Sequence, residues 1–400
     1  MLNLEELLAA CTPGGPSVWS SVTELSAAAG PHASITPAKY KQGNSPCFAF
    51  ETRYIDKKPN EVVIIDGIAS STNRGEKAIS NSILDGDPLI SRIPRIALSY
   101  GDETLTDIDL PHRFADGHIR AGSYEGKPVT QADWFREIRN SKPRNYRALL
   151  NTAPIAILCG GWDSVRPEDQ VRIRRSITGE TIGVLADQSR PGSEQQGARS
   201  GARVDPVGAS VQLDAAAFKK IIDNQADELS EKKVKDTQDK LKKAKKGETL
   251  SGSAVGVGAL PPKLDPLGGV SCSRVIRSWV LSFTALRQIS FGGTPEENVA
   301  GRALIAALGF ALIARAEQEL YYRSNCDLVE VAAPVVKLDL RYGEKKELPP
   351  LSIEAADALL KEALDHAEAL GVADWHGQIR EVVGNPDIYA GAAEPSEKDE

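Results

Sequence analysis

The sequence contains few cysteines and none in the close pairs that bind metals or carry out redox chemistry. The five that are present are scattered along the chain and odd in number: Cys11, Cys47, Cys159, Cys272 and Cys326. This spacing argues against a disulfide framework and against a zinc ribbon. A reducing, cytoplasmic compartment is the location that such cysteine usage predicts.

Long apolar runs are also missing. No stretch of about eighteen residues is both apolar and free of charge, so we expect no transmembrane helix and no membrane partner. The N-terminal segment is acidic and lacks the positive region of a secretory signal. A hydrophobic fraction of 41% is nevertheless enough for a chain of 400 residues to bury a sizeable core.

Familiar catalytic motifs are absent. The chain has no P-loop, no complete dinucleotide-binding glycine motif, and no GxSxG or HExxH sequence. His112, Asp116 and His118 are three candidate metal ligands without a fourth, and hydrogen bonds within one loop explain such a group more often than a metal does. The spacing of Asp163, Asp187 and Asp205 does not require a metal nuclease site. We therefore expect no enzyme, no cofactor and no metal.

The net charge of −7 excludes a uniformly basic protein that coats nucleic acid. The charge is, however, unevenly distributed over three regions of the chain. The segment 344–400 has 14 acidic and 5 basic residues, whereas residues 1–343 have 43 basic and 41 acidic residues. Within that nearly neutral body, Glu231 to Lys246 has 8 lysines against 3 acids. An acidic end does not attract nucleic acid, so any such contact is expected in the body.

Hydrophobic periodicity predicts interleaved strands and helices, which is typical of an α+β protein with helices on one face of a sheet. The predicted strands are Glu61–Ile68, Ala153–Leu158, Thr181–Ala186 and Val335–Arg341, with a further strand and short helix within Arg274–Phe291. The predicted helices are Asn73–Leu84, Ala215–Lys246, Asn298–Tyr322 and Ile353–Leu370.

Several loops combine the groups that RNA binding needs, namely cations for phosphates and aromatic faces for bases. Ser70 to Arg74 lies where a strand passes into a helix, so helix-capping groups and a guanidinium are expected to converge on an anion. Arg172 and Arg174 share one face if their segment is a strand, and Arg175 then points the other way. For Trp162, a core position and a stacking position are equally consistent with the sequence.

These segments, in this order, resemble the CRISPR-associated RAMP-type backbone subunit of type I-G (formerly I-U) Cascade complexes, the GSU-type member of that family. The resemblance runs from about Glu61 to Leu340, and Gly75 stands where we expect a larger residue. The matching stretches are Asn73-Arg74-Gly75-Glu76, Pro111-His112-Arg113-Phe114-Ala115-Asp116, Gly160-Gly161-Trp162-Asp163-Ser164, Ala202-Arg203-Val204-Asp205-Pro206, Gly268-Gly269-Val270, Ala285-Leu286-Arg287 with Phe291, and Arg323 to Leu328.

The resemblance implies a ferredoxin-like, RRM-like palm with large inserted fingers and thumb regions. It also implies a non-catalytic subunit that assembles head to tail, as a helical homo-oligomer, along CRISPR RNA. Its further partners would be target DNA in an R-loop, a large subunit and a fused five/six-type subunit. With the loop chemistry, it implies RNA contacts by Asn73, Arg74, Arg113, Trp162, Arg172, Arg174, Arg199, Arg203, Lys263 and Arg287.

The domain organisation that follows divides the chain into five segments. They are an N-terminal extension with the palm start (1–60), a palm with inserted loops (61–214), a lysine-rich helix with a Gly/Pro-rich flexible insertion (215–269), the palm completion (270–343) and an acidic helical C-terminal region with a disordered tail (344–400). Two other functions remain open from the residues alone. One is a RAMP-superfamily RNase that uses His112 with Asp116 or Asp205, and the other is a scaffold protein without RNA contact.

Overall fold

The structure is a computed structural model that describes residues 1–166, 170–200, 211–245, 247–257, 264–322 and 326–388. Its α-helices, within those residues, are α1 (Leu4–Cys11), α2 (Ile68–Leu84), α3 (Gly117–Arg120), α4 (Asp133–Arg139), α5 (Arg147–Leu150), α6 (Ile155–Cys159), α7 (Ala215–Asn224), α8 (Glu231–Lys243), α9 (Phe283–Leu286), α10 (Pro295–Gln318) and α11 (Ile353–Ala369).

The strands of the same residues are β1 (Val18–Ala27), β2 (Tyr40–Gln42), β3 (Ser45–Cys47), β4 (Phe50–Ile55), β5 (Lys58–Asp66), β6 (Arg95–Tyr100), β7 (Glu103–Thr106), β8 (Ser123–Tyr124), β9 (Lys127–Pro128), β10 (Gly161–Trp162), β11 (Arg172–Ile173), β12 (Ile177–Leu185), β13 (Gly197–Ser200), β14 (Gln212–Leu213), β15 (Leu250–Ser251), β16 (Leu264–Gly269), β17 (Cys272–Ser282), β18 (Leu328–Glu330), β19 (Val335–Arg341), β20 (Glu344–Leu348) and β21 (Ile379–Val383).

Mixed helices and strands confirm the predicted α+β class. The largest sheet has the strand order β20-β19-β1-β17-β12-β5-β4, and β18 also pairs with β1. Every pairing in this sheet is antiparallel. A five-stranded sheet, β7-β6-β21-β8-β9, forms separately.

The core is organised around α10, which is buried along nearly all of its length. Its mean hydropathy reaches 1.7 over eighteen residues, so by length and composition it could cross a membrane. However, 94% of that window is buried inside the protein, and the core helix of a globular domain passes the same test. The ring of Phe310 packs edge-on against Trp19 of β1, with 5.2 Å between the ring centroids. Helix α10 therefore lies against the sheet.

Gly75 lets α2 approach α10 closely. A Cβ atom placed at this position would lie 2.1 Å from Cδ2 of Leu312, which is far inside van der Waals contact. The larger residue that the family resemblance leads us to expect here therefore does not fit beside Leu312. A second link between helices is Arg315, whose buried guanidinium binds Asp87 at 2.8 Å and Asp357 of α11 at 2.7 Å.

Most predicted elements are confirmed with small shifts of their ends. The strand predicted at 61–68 is β5, the strand predicted at 181–186 overlaps the end of β12, and the alternating strand at 335–341 is β19. The predicted strand and short helix within 274–291 are β17 and α9. Ser352 caps α11 by accepting a hydrogen bond from the N–H of Ala355.

Three predictions of local structure are wrong. The run 153–158 is helical and forms α6, because its residues are buried on every side and carry no alternation, and Pro154 suits the start of a helix. Helix α2 begins at Ile68, so Ser70 to Asn73 lie inside it and the cap is Gly67. The predicted helix 215–246 is two helices, α7 and α8.

The chain forms two compact units. One consists of Met1–Gly192 together with Ser271–Glu400, and the other is Ser193–Val270. The second unit contains the whole of the predicted insertion 215–269 and begins before it. Its own small core joins Phe218 and Ile222 of α7 to Val255, and the lysine side chains of α8 are exposed.

The contact between α2 and α10 predicts an unusual response to a helix-favouring substitution. Alanine normally stabilises a helix by about 1 kcal/mol relative to glycine. Gly75→Ala should instead lower the free energy of unfolding by about 1–3 kcal/mol, because the new methyl overlaps Leu312. Denaturant unfolding measures this difference. In a Leu312→Ala background the same substitution should cost nothing, and an equal cost in both backgrounds would contradict the proposed overlap.

Candidate nucleic-acid interface

A polar cleft of about 500 Å³ brings together residues from three separate parts of the first unit. We call it the arginine cleft. It is lined by Pro111, His112, Arg113, Cys159, Gly160, Gly161, Trp162, Arg172, Ile173, Arg174 and Arg175. Four residues predicted to contact RNA therefore lie in one place: Arg113, Trp162, Arg172 and Arg174.

The exposed wall of the cleft is a short ribbon of β10 and β11. Gly161 pairs with Ile173, and Trp162 pairs with Arg172, in antiparallel register. β11 ends at Ile173, which is buried, and Arg172 and Arg174 on either side of it are both exposed at the cleft. Arg175 was expected to point the other way, but the strand ends before it, and this side chain is also exposed at the cleft.

Trp162 is outside the core. Its side chain is 52% exposed, whereas Trp19, Trp279 and Trp375 are almost completely buried. The indole Nε1 donates a hydrogen bond to Oε1 of Gln170 at 3.2 Å. The guanidinium of Arg172 lies over the ring, 5.2 Å from its centroid. An exposed aromatic face beside a cation is suited to stack on a nucleobase.

Gly160 lines the arginine cleft beside β10. Its φ of +93° lies in the region that favours glycine, and a Cβ atom here would lie 3.2 Å from the carbonyl oxygen of Ile173. The carbonyl oxygen of Gly160 accepts a hydrogen bond from Nη1 of Arg113 at 3.0 Å. The close approach of chain segments here requires glycine.

Arg113 is held by a carboxylate that the site predictions omitted. Nε and Nη2 of Arg113 donate to the two oxygens of Glu76, the second at 2.9 Å, and Glu76 is buried in α2. The amide of Asn73 also donates to Glu76, at 3.0 Å. Glu76 follows Asn73 by three residues, one helical turn, and this spacing is the only sequence signal that points to it.

A second ion pair anchors the loop that follows Trp162. Nε of Arg139 lies 2.7 Å from Oδ2 of Asp163, whose side chain is fully buried. The N–H of Asp163 also donates to the carbonyl oxygen of Val171 at 2.9 Å, which fixes the approach to β11. This carboxylate therefore balances a positive charge of the protein itself.

The candidate metal ligands are used within their own loop. One oxygen of Asp116 accepts the N–H of His112 at 3.1 Å and the other accepts the N–H of His118 at 2.9 Å. Nδ1 of His118 is hydrogen-bonded to the hydroxyl of Tyr100 at 2.8 Å. Among the described residues, no group of three His, Cys, Asp or Glu side chains is arranged to hold a metal.

The remaining acidic and nucleophilic candidates have other surroundings. Asp187 accepts hydrogen bonds from Ser189 and Arg190, which lower its pKa to about 2. Asp205 lies outside the described residues. Burial raises the pKa of Cys159 well above its ordinary value, and Glu76 raises it further, so this thiol stays protonated at the cleft.

Arg74 and Arg287 do not line the arginine cleft, although both were predicted to contact RNA. Arg74 lies within α2, where Nε donates to Asp66 at 2.9 Å and the guanidinium stacks 4.7 Å from the ring centroid of Tyr322. The helix starts earlier than predicted, so Arg74 is turned onto the end of β5 and away from an external anion.

Arg287 closes the end of α1. Its Nη1 donates to the carbonyl oxygens of Ala10 at 2.5 Å and Pro16 at 2.8 Å. A cation at the carbonyl end of a helix is stabilising. Of the other predicted contacts, Arg199 lies in β13, while Arg203 and Lys263 fall outside the described residues.

We expect the arginines of the cleft that pair with a buried carboxylate to contribute more to the free energy of unfolding than the exposed ones. Arg113→Ala should lower the free energy of unfolding by about 3 kcal/mol or more, because it leaves the buried Glu76 unpaired. Arg174→Ala should change it by less than about 0.5 kcal/mol, because the side chain is exposed. Parallel denaturant titrations measure both. Equal effects of the two substitutions would contradict this division.

Part of the chain, including the arginine cleft, is similar to a known protein family. No curated protein matches the chain significantly. Residues 20–188 match the model described as CRISPR-associated protein GSU0053, and this segment includes every residue that lines the arginine cleft. Over this segment the chain is therefore similar to that CRISPR-associated family.

Proposed function

We propose that the protein is a CRISPR RNA-binding backbone subunit of a type I-G Cascade complex. The observation that carries this proposal is the arginine cleft, where three exposed arginines and an exposed tryptophan converge. The match of residues 20–188 to a CRISPR-associated family supplies the biological setting.

The topology of the large sheet supports a ferredoxin-like, RRM-like palm. In that fold the fourth, first, third and second strands lie side by side in this order. The central strands β19, β1, β17 and β12 follow the same order here. Helix α2 precedes β12 in the chain, and α10 follows β17, which corresponds to the two helices of the same fold. In this proposal, β4 and β5 extend the sheet at one edge, and the unit Ser193–Val270 is an insertion into the palm.

The chemistry of the cleft favours binding that is independent of base sequence. Arg172, Arg174 and Arg175 are exposed and form no ion pair with any described residue, so their charges are available to phosphates. The face of Trp162 suits any base, because every base has a π-face. A subunit that grips a guide must leave base edges free for pairing, and backbone contacts with stacking meet that requirement.

We further propose that the protein acts without catalysis of its own. Asp116 and Glu76 bind residues that line the cleft, and Asp163 directly follows one of them; each of these carboxylates accepts hydrogen bonds or pairs with an arginine of the same chain. None of them is free to act as a general base beside His112. Incubation with labelled RNA should leave the RNA intact, and specific cleavage by pure protein would favour the RNase alternative.

The partners and compartment follow from the same proposal. The protein would bind CRISPR RNA and present its bases to target DNA in an R-loop. It would contact further copies of itself, a large subunit and a fused five/six-type subunit, in the cytoplasm. Purification from the native host followed by sequencing of bound RNA tests this directly, because a backbone subunit should retain guide sequences between repeat fragments.

Substitution of the exposed arginines tests the cleft. We consider three single substitutions, Arg172→Ala, Arg174→Ala and Arg175→Ala. Each should weaken binding of single-stranded RNA by about 1–2 kcal/mol. Each should also reduce the slope of log K against log salt concentration by roughly 0.7. Fluorescence anisotropy with uridine and mixed-sequence oligonucleotides measures this, and the two RNAs should bind alike. The control is Arg136→Ala, an exposed arginine of α4 outside the cleft. An equal loss in that control would contradict a localised site.

Trp162 provides a spectroscopic test of stacking. RNA binding should quench the emission of Trp162, because its indole is 52% exposed and lies in the cleft. The quenching should disappear in Trp162→Phe, while affinity falls only slightly because a phenyl ring still stacks. A matched control is Trp134→Phe, which alters a tryptophan outside the cleft. Undiminished quenching in Trp162→Phe would exclude stacking at this position.

A further inference from the structure

A second polar cleft lies in the first unit, with a volume of about 850 Å³. It is lined by residues of the segments 134–152 and 374–380, among them Trp134, Glu137 and Arg380. We call it the mixed-charge cleft, and none of its lining residues also lines the arginine cleft. Sites for small ligands are concave, have volumes of about 300–1,000 Å³ and carry a few polar groups that fix the orientation of the ligand. The mixed-charge cleft has the size of such a site.

The charges of this cleft have both signs, whereas the lining of the arginine cleft contains no carboxylate. Two of its charged residues already have partners within the chain. Asp374 is hydrogen-bonded to Nδ1 of His376 at 3.2 Å, and Arg147 pairs with Glu297 of α10. A cleft with both signs does not attract a polyanion through charge alone. It suits instead a group that offers hydrogen-bond donors and acceptors together.

Two opposite charges of the cleft lie close together without pairing. Neither Glu137 nor Arg380 forms an ion pair with any residue that the structure describes. The guanidinium of Arg380 lies over the ring of Trp134, 5.8 Å from its centroid. Glu137 follows Trp134 by three residues in α4, so the two side chains are neighbours on one face of the helix, with about 5–6 Å between their Cβ atoms. The two charges are therefore separated by about one helical turn.

An occupant of the cleft can bind both charges at once if it offers two kinds of group. Arg380 belongs to β21 and Glu137 to α4, so elements of regular secondary structure hold the two charges in position. A guanidinium donates two parallel hydrogen bonds to a pair of acceptors, and a carboxylate accepts from a pair of donors. The complementary group is thus a flat molecule with two acceptors on one edge and two donors on the next.

We propose that the mixed-charge cleft binds the base of a free guanine nucleotide. Guanine presents N7 and O6 as two acceptors on one edge, which arginine binds in a bidentate manner. Its next edge presents N1–H and the N2 amino group as two donors, which match the two oxygens of Glu137. Adenine has an amino donor in place of O6, and neither pyrimidine has both pairs of groups. Guanine is therefore the RNA base that complements Arg380 and Glu137 together.

A free nucleotide fits this cleft better than a base within an RNA strand. A strand brings a phosphate charge with every nucleotide, and the carboxylates of Glu137 and Asp374 repel those charges. A free nucleotide can direct its single phosphate to solvent. The guanine site is thus separate from the proposed RNA site, and it goes beyond the proposed function.

Isothermal titration calorimetry with mononucleotides tests the base. The wild-type chain should bind GMP about tenfold or more tightly than AMP, CMP or UMP. IMP lacks the N2 amino group and should bind about fivefold more weakly than GMP, because one donor to Glu137 is lost. In Glu137→Gln the affinity for GMP should fall about tenfold, and the difference between GMP and IMP should disappear.

Arg380→Gln should also lower the affinity for GMP about tenfold, because the bidentate contact with N7 and O6 is lost. Neither Glu137 nor Arg380 is buried, so the fold should persist in both variants, and denaturant unfolding verifies this. The matched controls are Asp133→Asn and Arg136→Gln, which alter exposed residues of α4 outside the cleft. Both controls should bind GMP like the wild type.

Other results overturn the inference. Equal affinity for the four mononucleotides, or unchanged affinity for GMP in both Glu137→Gln and Arg380→Gln, would exclude a guanine site. Loss of GMP binding in Arg174→Ala would place the nucleotide in the arginine cleft instead.

The source of the base and the proposed function can be separated from the site itself. A uridine RNA that contains one guanosine should bind no more tightly than a uridine RNA of the same length. A gain in affinity that disappears in Glu137→Gln would assign the base to a strand and exclude the free nucleotide. If the chain bound GMP but no RNA, the proposed function would fail and the guanine site would stand.

Discussion

The ion pair between Glu76 and Arg113 is the interaction on which the cleft depends. It joins α2, which packs on the core helix, to the loop that forms one wall of the cleft, and Arg113 extends the connection to the carbonyl oxygen of Gly160. Both charges are buried, so removal of either partner leaves the other without compensation. The ion pair that positions the exposed arginines therefore does not itself have to contact a ligand.

Hydrophobic periodicity was sufficient to predict the type of secondary structure where a segment has one clear environment. Helix α10 is apolar on most of its faces and is buried, and β19 alternates because one of its faces meets the core. The run 153–158 was misread because residues buried on all sides give no alternation to separate a helix from a strand. Helix α2 was predicted to start too late because Asp66 holds Ser70 and Ser71 through their hydroxyls, and hydroxyls at these positions look like caps in the sequence.

Four of the predicted contact residues, Arg113, Trp162, Arg172 and Arg174, lie in one cleft, but the surroundings of each arginine could not be predicted from motif order. Arg172 and Arg174 could be placed from the alternation of a short strand. Whether Arg113 faces an RNA phosphate or a carboxylate depends on Glu76, which is 37 residues away in the sequence. Burial of that kind is a tertiary property, and no local pattern distinguishes a paired guanidinium from an available one. The composition of a loop therefore identifies candidates without separating binding residues from structural ones.

The net charge of −7 is compatible with RNA binding once internal pairing is considered. Arg74 and Arg113 are neutralised by Asp66 and Glu76, and Arg139 by Asp163, so these charges contribute little to the field outside the protein. Arg172, Arg174 and Arg175 are exposed and form no ion pair within the part of the chain that the structure describes. A phosphate in the cleft meets these nearby cations at short range, while more distant acidic residues are screened by salt beyond about 10 Å. For the proposed RNA binding, charge that is local and unpaired among the described residues therefore matters more than the total charge of the chain.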